Sequence, residues 1–364
     1  MTDTETRLTP DPTARAAFHT LTVTDVQPLT DDSAAVSFGV PAELAEAYDF
    51  AAGQSLTLRR TIDGVEHRRT YSICSAAGTA PRIGVRVIPD GLFSRWLVHD
   101  VRPGDRVEVQ PPSGSFRADA GAGGRHLCIA AGSGITPMLS IASTVLGNPD
   151  AHVTLLYGNR TTTSVMFAEE LADLKDAHGH QLDLIHVLSR EPRDVELFTG
   201  RLDGDRLRRL LTVLVPVDGM DHVWLCGPFR MLAEAREVLA ELGLPSERVH
   251  FELFYVDEPP PELRHADQVV EGVTSEVTVV LDGRSTTTSM PRDKSILDAA
   301  QQVRTDLPFA CKGGVCGTCR ARVCDGEVDM VRNYALEDSE VADNFILTCQ
   351  SFAVSDEVTV DFDA

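Results

Sequence analysis

From residue 17 to about 120 the chain alternates apolar and polar positions in short runs broken by turn signals. "HTLTVTDVQPL", "DDSAAVSFGV", "GQSLTLRR", "EHRRTYSIC", "RIGVRVIP" and "DRVEVQPPSGSF" each carry the period of two expected of a half-buried strand. One helical pattern, "LFSRWLVHDV", interrupts them. This spacing predicts a small antiparallel β-barrel over residues 17–120. From 124 to 254 the period changes. Apolar strands ("RHLCIAAG", "HVTLLYG", "LDLIHVLS", "DHVWLCG") alternate with amphipathic helices ("TPMLSIASTVL", "VMFAEELADLKDA", "GDRLRRLLTVL", "FRMLAEAREVLAELG"), which predicts a parallel α/β sheet. Residues 255–273 contain "DEPPPELRHADQVVEG", an acidic, Pro-rich linker without periodicity. From 274 to 364 strands ("SEVTVVLDG", "DEVTVDFD") flank a helix ("SILDAAQQV") and a cysteine-rich loop, an α+β unit. No repeat or low-complexity tract appears.

Composition sharpens this outline. A chain of 364 residues with 43% hydrophobic side chains can fill several cores. Fifty-five acidic residues against thirty-three basic give a net charge of −22, which excludes nucleic acid and anionic membrane as partners. Lysine occurs only at 175, 294 and 312, a coding bias without functional message. From Thr274 onward sixteen acidic side chains face eight basic ones. The excess gathers near the cysteine loop at Asp325, Glu327, Asp329, Glu337, Asp338 and Glu340, as docking to a basic redox partner would require. The N-terminal stretch is polar and no apolar run is long enough to span a bilayer. A cytoplasmic protein is expected.

The chemistry begins at "CKGGVCGTC". Cys311, Cys316, Cys319 and the distant Cys349 follow C-x4-C-x2-C with one remote cysteine, the plant-type [2Fe-2S] spacing. A zinc site would ask for a second C-x2-C or Cys/His pair. Eight cysteines, four already assigned, are too few for a disulfide scaffold. Gly313, Gly314 and Gly317 let the backbone turn tightly and bring N–H groups to the sulfurs. Cys324 falls outside the spacing and is expected to be a buried strand cysteine.

"AAGSGITPM" follows one strand and opens one helix, so Gly132, Ser133, Gly134, Thr136 and Pro137 suit a pyrophosphate at a helix N-terminus. An NAD site usually places an acid near the end of the next strand. Here stand Arg160, then Ser189 and Arg190, then Arg201, a set suited to a 2′-phosphate and hence to NADPH. "WLCGPFRM" puts Cys226, Gly227 and Pro228 at the carboxyl end of a later strand. In the barrel, "RTYS" and "GLFS" say little singly, although Ser94 is placed to cap the following helix.

Their succession says more. RTYS, GLFS, GSGITP, CGP and the cysteine loop, in that order, resemble the ferredoxin-NADP reductase superfamily with a C-terminal plant-type ferredoxin domain. The resemblance covers the chain from residue 17. It implies an FAD domain at 17–120, an NAD(P) domain at 124–254 and a β-grasp-like [2Fe-2S] domain at 274–364. It further implies that Arg69 holds the FAD pyrophosphate, that Thr70 belongs to the same FAD-binding stretch, that Tyr71 packs on the isoalloxazine and that Ser72 lies near flavin N5. Val85, Arg86 and Val87 would contact the cofactor through backbone, and Gly91, Leu92, Phe93 and Ser94 would receive its phosphate. Cys226 would sit by the reactive nicotinamide carbon, and Glu252 and Phe254, from "HFELF", near the flavin. "YGNRTTTSVMF", "DLPFACKGGVCGTC", "NYALE" and "VTVDFDA" are similar to reductase subunits of phenylacetyl-CoA epoxidases. That implies a path from NADPH through FAD and [2Fe-2S] to a separate diiron oxygenase. Reductases of ketosteroid hydroxylases and aromatic-ring oxygenases share the domain order. A non-catalytic redox sensor is the competitor from another class, and it would need no hydride entry.

Overall fold

The computed structural model describes residues 17–62, 64–89, 91–254, 272–336 and 338–364. Most of the linker at 255–273, and Glu337, lie outside the described residues.

The first sheet contains β1 (His19–Thr30), β2 (Ser33–Gly39), β3 (Ser55–Ile62), β4 (Val65–Ser72), β5 (Arg82–Arg86) and β6 (Arg106–Val109). Its order is β4-β3-β6-β1-β2-β5, with neighbours antiparallel. An Ile73–Ile83 bridge links the two ends and closes the barrel. Alternation fills it: Leu21, Val36, Phe38, Leu56, Leu58 and Ile83 are fully buried. Helix α1 (Leu92–His99) plugs one end with Phe93 and Leu97.

The second sheet is parallel throughout: β7 (Gly124–Ala131), β8 (Ala151–Asn159), β9 (Leu182–Leu188), β10 (His222–Gly227) and β11 (Val249–Leu253), in the order β11-β10-β7-β8-β9. Helices α2 (Ile135–Val145) and α3 (Ala168–Ala177) cover one face. Helices α4 (Gly204–Val213) and α5 (Phe229–Glu241) cover the other. The chain reverses direction across the sheet between β7 and β10. That is the switch point outside which ligands of open α/β sheets bind. Strand β11, "VHFEL", is not among the strands that periodicity predicts. It is a partly buried edge strand without clean alternation.

The third sheet is mixed, with β12 (Thr274–Leu281), β13 (Arg284–Pro291), β14 (Arg320–Asp325), β16 (Phe345–Leu347) and β18 (Glu357–Asp361) in the order β13-β12-β18-β14-β16. Only β12 and β18 run parallel. Helix α6 (Ile296–Ala300) buries Ile296, Leu297, Ala299 and Ala300 in that core. Strands β15 (Val328–Met330) and β17 (Ser351–Ala353) pair separately, and α7 (Asp338–Ala342) is one short turn. Periodicity cannot announce β13, "RSTTTSMP", because it is a mostly exposed edge strand.

Two sequence expectations are corrected. Cys324 is exposed, because it is the extra residue of a bulge in β14: Val323 pairs with Val360 and Asp325 with Thr359. Ser94 does not cap α1. The N-cap is Gly91, and the Ser94 hydroxyl, one turn inside, donates to the Gly91 carbonyl (3.2 Å) and accepts from the Ile88 amide (3.3 Å).

Candidate functional site

A hydrogen bond between the barrel and the parallel sheet marks the site. Ser72, the last residue of β4, donates from Oγ to Oε2 of Glu252 on β11 at 2.8 Å. Glu252 is the register partner of Cys226 on β10. Burial raises the Glu252 carboxyl to about 7, against the lowering effect of the Ser72 hydrogen bond. It is therefore able to hold or release a proton near neutral pH. The Cys226 thiol is fully buried and raised well above its usual range, first by burial and then by the neighbouring carboxylate. It stays a neutral, compact wall and is no nucleophile.

Backbone contact brings the glycine-rich turn to the same place. A Cβ on Gly134 would lie 2.1 Å from the Cys226 carbonyl oxygen, so only glycine allows this approach. Gly132 adopts φ 56°, and its carbonyl accepts from Tyr157 Oη at 3.0 Å. Thr136 is buried and donates to the Ser133 carbonyl. Phe254 packs partly buried against the core under β7 and β8. Ser72, Gly132, Ser133, Gly134, Thr136, Pro137, Cys226, Gly227, Glu252 and Phe254 thus gather around the switch point.

Helix termini separate anion sites from the rest. Helices α1, α2 and α5 begin at Gly91, Gly134 and Pro228 with neither a capping side chain nor an acid in the first turn. By contrast α4 and α6 are capped by Asp203 and Ser295, and α3 opens with Glu169 and Glu170. The three bare N-termini belong to "GLFS", "GSGITP" and "CGPF", and their free amides and dipoles suit phosphates. Near α1, Tyr71 sits 6.3 Å from the Phe93 ring, and Arg69 is exposed beside it. Past Ile83, β5 pairs on one side only, through Arg86 and Val85 with Ser33 and Ala34. The backbone of Val85 to Val87 is left open on the other side. These residues fit FAD. The Arg86 side chain is otherwise engaged: it donates to Asp32 (3.2 Å) and to the Ser164 carbonyl (2.7 Å).

At the ends of β8 and β9, the Arg190 amide donates to the Arg160 carbonyl at 2.7 Å and the Ser189 amide to the Asn159 carbonyl at 2.8 Å. Arg160, Arg190 and Arg201 are all exposed. Arg160 also pairs with Asp32 of the barrel at 3.2 Å. Glu191, the acid at this edge, accepts from the Thr162 amide and hydroxyl, both at 2.7 Å. Asp32 and Glu191 escape sequence reading, since acids in the turns "TDDS" and "SREP" carry no pattern.

The cysteine loop is built differently. The thiols of Cys311 and Cys316 hydrogen-bond to each other, as do those of Cys319 and Cys349. Among the described residues no three His, Cys, Asp or Glu side chains converge on one metal position. Two thiol pairs suit a two-iron cluster and not a single ion. Gly313 N–H points at Cys311 Sγ at 3.3 Å. Lys312, Gly314 and Gly317 have positive φ. Within each pair one thiol is drawn down and the other pushed up by their shared hydrogen bond: Cys316 lowers Cys311 and is itself raised, and Cys319 lowers Cys349 and is itself raised.

Comparison with known proteins gives three family models in sequence order. They are an oxidoreductase FAD-binding domain at residues 20–118, an oxidoreductase NAD-binding domain at 128–237 and a 2Fe-2S iron–sulfur cluster binding domain at 279–354. The chain is 43% identical over 352 residues to one of the subunits of 1,2-phenylacetyl-CoA epoxidase from Escherichia coli (strain K12), covering 95% of this chain and 98% of that one. It is 32% identical over 352 residues to the ferredoxin reductase component of 3-ketosteroid-9-alpha-monooxygenase from Rhodococcus rhodochrous, covering 94% and 96%. The solved structure of phthalate dioxygenase reductase superposes with TM-score 0.60 at 26% identity, covering 95% of this chain and 98% of that chain.

Proposed function

This chain belongs to the FAD- and NAD(P)H-dependent reductases that carry a C-terminal [2Fe-2S] domain, and from that premise we propose an NADPH-fed reductase for a diiron oxygenase acting on phenylacetyl-CoA. It is an oxidoreductase, the electron-transfer component of an oxygenase system, and its cofactors are FAD, [2Fe-2S] and NAD(P)H. When bound, NAD(P)H, FAD and the [2Fe-2S] cluster would supply hydride and single-electron chemistry. The chain's own residues orient and shield. Gly132 to Pro137 and the bare end of α2 would take the nucleotide pyrophosphate. Arg69 and the end of α1 would take that of FAD. Ser72, Cys226 and Glu252 would wall the space between the two rings, with Glu252 holding a proton there.

One observation carries NADPH over NADH: β8 ends at Asn159 and is followed by Arg160 where an NAD site would have an acid, and Arg160, Arg190 and Arg201 are all exposed. The domain bounds we adopt are 17–120, 124–254 and 274–364, joined by 255–273, and the reaction is placed in the cytoplasm. Among the described residues no helix is long and apolar enough to cross a membrane. The 43% identity to a phenylacetyl-CoA epoxidase component, against 32% to a ketosteroid system, favours the former acceptor. Reconstitution with each oxygenase tests this. NADPH-dependent product from phenylacetyl-CoA is expected, and product only with the ketosteroid oxygenase would refute the assignment.

A further inference from the structure

Where the barrel meets the cluster domain stands one buried cation. Arg68 precedes Arg69 on β4, and strand neighbours point to opposite faces, so its side chain leaves the flavin side. It is 5% exposed. Its guanidinium stands 4.3 Å from the Phe309 ring centroid and 5.2 Å from that of Phe18. It donates to the Leu307 carbonyl at 3.4 Å and to Oε1 of Glu66 at 2.7 Å. Phe309 lies two residues ahead of Cys311, and Lys312 Nζ sits 4.8 Å from the same ring. A guanidinium with so little solvent is costly unless paired, and here Glu66, the carbonyl and two aromatic faces offset the cost.

Around this contact the two domains stand apart. A cleft of about 870 Å³ separates them, with Arg69 and Gln110 on the barrel wall and Gln301 and Cys311 opposite. On its other side the cluster domain leans on the start of α5 through Tyr334, 5.3 Å edge-on to Phe229, and on the core under that helix through Val315. A short chain of contacts therefore joins the flavin segment to the cluster loop: Tyr71 and Ser72 share β4 with Arg68, and Phe309 is close to a thiolate ligand.

We propose that Arg68 is a positioning residue that docks the [2Fe-2S] domain on the flavin barrel and so sets how fast electrons cross between the two cofactors. The proposal rests on the reductase reading above. Each crossing moves one electron from reduced flavin to cluster, with NADPH as the reductant, and over two crossings the flavin would also release to water the proton that arrived with the hydride. Arg68 touches neither cofactor and acts through distance.

Stopped-flow absorbance on the fully loaded protein resolves flavin reduction by NADPH from the later cluster reduction. Arg68→Met should leave the first phase within about twofold and slow the second at least about tenfold, the factor that 1.4 kcal/mol of lost docking represents. Amide exchange should quicken over residues 305–312. Arg68→Lys, which keeps a cation over Phe309, should recover part of both. Phe309→Leu attacks the contact from the other domain and should give the same split. The double variant should be no worse than either single one, because both break one contact. Should Arg68→Met fail to load FAD, Phe309→Leu carries the test. An unchanged second phase with protection intact overturns the proposal. So does an equal loss of both phases, which would put Arg68 in the flavin site. Failure of the reductase reading would look different, since NADPH would reduce neither cofactor in the unaltered protein.

Discussion

The cluster loop and the flavin–nicotinamide junction solve the same problem, holding a redox group at a fixed place, by opposite means. The loop keeps three of its four ligands within nine residues, on a backbone bent through left-handed conformations at Lys312, Gly314 and Gly317. Its specificity is local and covalent. The junction draws Ser72, Gly134, Cys226 and Glu252 from four segments, the outermost 180 positions apart, and it works through packing and one buried carboxyl. Local sites should fail completely when a ligand is lost. Assembled sites should fail by degrees.

The largest effect should therefore come from the loop. Changing Cys311, Cys316, Cys319 or Cys349 to Ser should abolish or severely perturb the [2Fe-2S] absorption and EPR spectra, while flavin reduction by NADPH survives. Cys324→Ser should leave the spectra intact, since the exposed bulge places that thiol outside both pairs. Loss of the cluster in the Cys324 variant would break the comparison.

Next is Gly134→Ala. Its new methyl would stand 2.1 Å from a backbone oxygen, which cannot swing away as a side chain can. Overpacking of this kind costs typically about 1–3 kcal/mol, so kcat/KM for NADPH in ferricyanide reduction should fall up to about a hundredfold. FAD content should stay unchanged, because the clash lies on the nucleotide side. A silent substitution would mean that β7 and β10 part in solution.

Arg190→Ala should cost roughly ten- to a hundredfold in kcat/KM with NADPH, the worth of a charge-assisted contact of about 1.5–3 kcal/mol, and little with NADH. The loss should appear in KM. An enzyme that prefers NADH before any change would contradict the reading of this edge.

How far the sequence can be read follows the same divide. The cysteine spacing is contiguous, so the cluster can be assigned from residues alone, and alternation finds the six barrel strands and the first four strands of the parallel sheet. Pairings between distant segments stay hidden. Nothing in "EHRRTYS" says that Arg68 reaches Phe309, although opposite facing of strand neighbours separates it from Arg69. Nothing in "TDDS" says that Asp32 holds both Arg86 and Arg160. Bulges are equally silent, which is why Cys324 is expected inside and stands outside. Edge strands such as β11 and β13 lack the two-faced environment that writes a period.

The smallest effect, and the finest test of the junction, is the pH dependence written into Glu252. Its carboxyl is raised to about 7 in the folded chain, chiefly by burial, from an ordinary value of 4.5. Between those two values the unfolded chain has released its proton and the folded chain keeps it. Stability must then fall as pH rises through that window and level off above about 7. A full shift would be worth about 3 kcal/mol, but solvent still reaches part of this side chain, and about 1–2 kcal/mol is the reasonable share. Glu252→Gln keeps an acceptor for the Ser72 hydroxyl and removes the proton equilibrium. The melting temperature of the Gln variant relative to the unaltered protein should rise by about 2–4 °C between pH 5 and pH 8, most of it below pH 7. A constant difference across that range would mean that the carboxyl stays ionised at the junction, and that Ser72 pairs with a carboxylate already solvated.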